Sequence, residues 1–63
     1  MANYTIEREL NIITVSGDKG TYTHNYAEKS IRTKARRIFI AEVLRDYGTK
    51  AVEEVAILEK VFR

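Results

Sequence analysis

Cysteine is absent from this chain of 63 residues and His24 is its one imidazole, so neither a disulfide nor a metal cluster is at hand to hold it together. A domain of this size buries only about 60% of the surface its unfolded chain exposes. Its stability must come from a single apolar core, and the remaining route open to small scaffolds is association. The expectations are one domain over residues 1–63 and a homodimer or larger oligomer. Proline is absent as well, and no low-complexity run or repeat divides the chain. The N-terminus lacks a basic region followed by an apolar run, and no stretch approaches the ~20 apolar residues of a membrane span. A cytoplasmic protein without membrane contact is the reading.

Residues 4–15 alternate Tyr4, Ile6, Leu10 and Ile12 against Thr5, Glu7, Glu9 and Asn11, the period of a half-buried strand. Arg8 falls in the apolar register. Ile13 and Val15 then occupy the opposite register, which marks either a bulge near Ile12 or a strand end covered on both faces. Gly17-Asp18-Lys19-Gly20 is a turn signal, and Thr21-Tyr22-Thr23-His24-Asn25-Tyr26 alternates again, so the first third reads as a β-hairpin.

Phe39, Ile40, Val43, Leu44 and Tyr47 share one face at helical spacing, with Ser30 or Thr33 as caps and Gly48 as the residue that ends the helix. On the opposite side Ala35, Ile38 and Ala41, flanked by Glu42 and Arg45, suit a close contact with a second copy; a scattered apolar surface is the plain alternative. After Gly48 the residues leave two readings open. Ala51, Val55, Leu58 and Phe62 follow a helical stripe that Thr49 could cap, giving ββαα. Val52, Val55, Ile57 and Val61 are β-branched, and a lone hairpin needs further support, which favours a third strand and ββαβ.

The run from Tyr47-Gly48 through Glu59-Lys60-Val61-Phe62 resembles the end of small phage-encoded proteins in which a hairpin and a helix are followed by a valine-rich strand. In layout it is similar to the uracil-DNA glycosylase inhibitors of certain Bacillus phages. That resemblance implies an α+β chain of ββαβ order, a phage or mobile-element setting and a stoichiometric inhibitor of a host protein. Those inhibitors imitate acidic DNA, whereas the helix here is basic, so no binding residue is carried over.

Between residues 29 and 37 lie five cations, Lys29, Arg32, Lys34, Arg36 and Arg37, and no acid. The positive end of a helix dipole disfavours each by a few tenths of a kcal/mol, up to ~1. They therefore mark an anionic partner or a solvated face. The net charge of +2 is uneven, with three cations against four acids in residues 1–30 and eight against five in 31–63.

Flat side chains on strand two, Tyr22, His24 and Tyr26, would stack on bases while Arg32, Lys34, Arg36 and Arg37 neutralise phosphate. The competing reading puts that face in the core. Catalysis has little to draw on. His24 stands alone as a base, Glu53 and Glu54 are adjacent and diverge in strand or helix, and Gly17 to Gly20 is too short to cradle phosphate. No catalytic residue, metal or cofactor is expected. A non-enzymatic protein that binds and inhibits a host protein, such as a defence or nucleic-acid enzyme, is the leading expectation; binding of nucleic acid or a nucleotide is the alternative.

Overall fold

A computed structural model describes residues 3–27 and 34–62. Three strands, β1 (Tyr4–Glu9), β2 (Ile12–Gly17) and β3 (Gly20–Asn25), form an antiparallel sheet in the order β1-β2-β3. One helix comes next, α1 (Lys34–Glu59), and a 3-10 turn, Lys60–Phe62, closes the described chain. The arrangement is α+β.

The segment 4–15 is two strands joined by a turn at Leu10 and Asn11, not one strand with a bulge. Its change of register has a simple origin. With Tyr4 opposite Gly17, Ile6 opposite Val15 and Arg8 opposite Ile13, even-numbered residues of β1 share a face with odd-numbered residues of β2. The parity shift that a bulge would explain is the signature of a two-residue reversal. Across β2 and β3 parity shifts again, placing Tyr22 opposite Val15 and His24 opposite Ile13. One face of the sheet thus gathers Tyr4, Ile6, Ile13, Val15, Tyr22 and His24, while threonines, Ser16, Asn25, Glu7 and Glu9 share the other with Ile12.

The expected third strand after Gly48 is absent, and with it the ββαβ layout; residues 52–59 are helical and 60–62 form the 3-10 turn. Residues β-branched in a helix cost only a few tenths of a kcal/mol each, and β1 already supplies the third strand. Cover for the sheet is the remaining need. Ala51 and Val55 are fully buried, and Leu58 and Phe62 pack against the core, so the helical stripe describes the segment.

Gly48 interrupts α1 with φ 89° and ψ 178°, a backbone region open essentially to glycine alone. How far the chain bends there is shown by its ends. A straight helix would separate Arg36 from Glu59 by about 35 Å, yet their side chains meet at 2.6 Å. The arms 34–47 and 49–59 therefore fold back on each other over one face of the sheet. Each arm contributes side chains at four-residue spacing, Phe39, Val43 and Tyr47 from the first and Ala51, Val55 and Glu59 from the second. With Ile13, Val15 and Tyr26 the apolar members make the core. Among the described residues no helix is long and apolar enough to cross a membrane.

Candidate functional site

The fold-back brings the two free ends of α1 together beside Tyr26, and a charged clasp forms there. Arg36 grips Glu59 with both arms of its guanidinium, Nε to Oε2 at 2.8 Å and Nη2 to Oε1 at 2.6 Å. Tyr26 donates its hydroxyl to Oε2 at 2.5 Å. Glu59 has no solvent exposure, so its charge requires these partners. Burial, then the Glu59 carboxylate, push the Tyr26 hydroxyl well above the usual phenol range. His24 lies between the Tyr26 ring, edge-on at 4.6 Å, and Phe39, stacked at 5.8 Å. Its Nε2 atom is buried and has no hydrogen-bond partner among the described residues. Burial lowers the His24 pKa; the Glu59 charge acts in the opposite sense, and Arg36 adds to the lowering.

At the other end, where Gly48 makes the corner, a tyrosine cluster ties the helix to the β2–β3 turn. The Tyr47 hydroxyl accepts from the Lys19 N–H at 3.0 Å and donates to the Gly20 carbonyl at 2.5 Å. Tyr22 donates to Asp46, which Arg45 also holds at 3.0 Å. Those two bonds, Arg45 first, keep the Asp46 carboxyl below its ordinary range. Tyr4 reaches Glu54 at 3.1 Å.

The residues singled out from the sequence divide accordingly. Of the basic cluster, Arg36 is committed to Glu59, Lys34 and Arg37 are exposed, and Arg32 and Lys29 lie outside the described residues. The caps Ser30 and Thr33 lie outside them too. Tyr22, His24 and Tyr26 face the helix: Tyr26 is buried, and the other two are half-buried beneath α1. They form part of the packing between sheet and helix. Ala35, Ile38 and Ala41 are exposed on the outer side of the first arm.

Two surface features escaped the sequence. Leu10, 83% exposed, sits at the tip of the β1–β2 hairpin with φ 55°. Positive φ at the first central position of a two-residue hairpin turn favours glycine; a leucine there is strained by about 1–2 kcal/mol. Arg8 steadies the turn by donating Nη1 to the Leu10 carbonyl at 3.2 Å. Exposed Ile12 adjoins it, and exposed Val61 lies at the same end of the molecule, since neighbouring Phe62 stacks on Tyr26, whose N–H bonds to Asn11. The only cue in the sequence is the parity change after Leu10.

The second feature is the outer edge of β3. Tyr26 N–H bonds to the Asn11 carbonyl, so by the alternation of antiparallel ladders Tyr22 and His24 exchange bonds with β2, and Thr21, Thr23 and Asn25 turn their N–H and C=O groups outward.

Comparison with known proteins finds no counterpart: no family model, curated protein or solved structure matches the chain.

Proposed function

We propose that this protein is a non-enzymatic binding module that docks on another protein, with Leu10 as its anchor. The observation that carries the reading is Leu10 itself, which combines a strained backbone with a large apolar side chain in water. Glycine or asparagine would accept that backbone and would put less apolar surface into water. Local strain of this kind accompanies function when the residue is needed for something outside the fold. The chemistry of the tip favours a protein socket. Glu7 and Glu9 balance Arg8 beside it and leave the tip without an excess of cations for phosphate or an anionic lipid surface, while Leu10 and Ile12 supply apolar area for a desolvated centre. A host protein, bound and inhibited stoichiometrically in a phage or mobile-element setting, is the partner class implied by the sequence resemblance.

A second reading, binding of a nucleic acid or nucleotide, rests on exposed Lys34 and Arg37. It is weakened by the commitment of Arg36 to Glu59 and of the three aromatic residues to the interior. Capture from nuclease-treated lysate, with wild-type and Leu10→Gly proteins as paired baits, separates the readings. A species retained at high salt by the wild type and lost by the variant is expected. Equal retention by both baits, or loss of all binding with salt or nuclease, would overturn the Leu10 reading.

A further inference from the structure

We infer that the outer edge of β3 is a self-association site, at which a second copy of this chain adds its own β3 in antiparallel register about Thr23. The two outer edges of the sheet differ in chemistry. Along β1 stand Glu7, Arg8 and Glu9, the charges with which sheet proteins block edge-to-edge pairing. From Gly20 to Asn25, β3 carries no charge, no proline and no bulge. Thr21, Thr23 and Asn25 point their backbone groups outward, and no described residue bonds to them there.

Geometry selects the occupant. A two-fold axis through Thr23 places Thr23 opposite Thr23 of the partner subunit and Thr21 opposite Asn25 of the partner subunit. Every outward N–H on one copy then meets an outward C=O on the other, for about six backbone hydrogen bonds. The facing side chains on the open side of the sheet are threonines and asparagine, which form favourable cross-strand pairs. On the helix side, Tyr22 falls opposite His24 of the partner subunit. Within Gly20–Asn25 no like charges meet. Pairing β1 with itself about Glu7 would set Glu7 against its own copy, and about Ile6 it would still bring two arginines and four glutamates into one short ribbon. The product is a six-stranded sheet with both copies of α1 on one side, which answers the shortage of buried surface in a chain of 63 residues.

The interface is small, so association depends on concentration. Sedimentation of the full chain over a concentration series, paired with amide hydrogen exchange, tests it. The expected result is a monomer–dimer equilibrium in which the Thr21, Thr23 and Asn25 amides gain protection as dimer forms. Thr23→Lys, which sets like charges on the two-fold axis, should weaken association several-fold with unchanged melting at low concentration. Three results would each overturn the assignment: a monomer throughout, rapid exchange of those amides in a dimer, or a dimer insensitive to Thr23→Lys and dispersed by Ile38→Asp. Exchange in the wild type keeps the test decisive even if a variant fails to fold.

Discussion

The two ends of this molecule are built on opposite principles. At the corner end, glycines stand where the backbone needs them. Gly20 has φ 125° next to the β2–β3 turn, Gly48 makes the helix corner, and the Tyr47 hydroxyl joins the two. At the clasp end, local rules are broken twice. Leucine occupies a turn position suited to glycine, and an arginine and a glutamate sit at the helix termini of like dipole sign. Arg36 and Glu59 cancel that mismatch in each other only because the arms meet. One end is held by local conformational preference, the other by contacts between residues far apart in the chain, and the second kind tolerates local strain such as that at Leu10.

The clasp should be the most sensitive point. Arg36→Ala deprives buried Glu59 of its bidentate partner and should lower stability by about 3 kcal/mol or more, read by urea unfolding. Replacing both Arg36 and Glu59 by methionine should restore much of that loss. A cost under about 1 kcal/mol for Arg36→Ala would show that the clasp does not hold the arms. Next comes the corner. A Cβ at residue 48 would meet nothing within 4 Å, so Gly48→Ala acts through the backbone alone. It should cost about 1–3 kcal/mol, favouring a continuous helix that pulls Arg36 from Glu59. Unchanged stability together with an intact Arg36–Glu59 contact would contradict this account.

Leu10→Gly should work in the opposite direction, raising stability by up to about 1 kcal/mol as the strain is relieved, partly offset by the greater freedom of glycine in the unfolded chain. A clear fall in melting temperature would mean that Leu10 serves the fold and not a partner. The smallest effect concerns His24. Its folded pKa lies below the ordinary 6.5, so the unfolded chain takes up the proton first on acidification. The associated stability is complete above about pH 6.5 and is lost as pH falls toward the folded value. Denaturation midpoints measured between pH 7 and 5 should therefore decline in the wild type and decline less in His24→Gln; identical slopes would remove His24 as the cause.

Much of the corner end is legible in the sequence. Gly17 and Gly20 bracket the turn that their spacing predicts, Tyr22 and His24 alternate as strand residues, and the backbone leaves the helix at Gly48. The segment after Gly48 is ambiguous in sequence because both a strand and a helix can use β-branched residues. The clasp end is legible only as anomalies: an apolar register that changes parity after Leu10, and cations at a helix start that disfavours them. For Arg36 the anionic partner sought outside the chain is Glu59, and sequence alone does not match the two because 23 positions separate them.

Read locally, the chain shows alternation over residues 4–15 and 21–26 and helical spacing at Phe39, Val43 and Tyr47, since side-chain period is a local property of the backbone. That residues 4–15 make two strands, and that the segment after Gly48 is a helical arm and not a strand, is a property of the fold. Tertiary structure alone decided which way each segment turned and whom each charge met. A turn without glycine at Leu10 forms because the strands on either side bury Ile13 and Val15 and pack Ile6 against them, and a buried carboxylate is tolerated because a guanidinium and a phenol reach it from distant segments. Burial and desolvation are sums over the assembled molecule, and no window of sequence contains them.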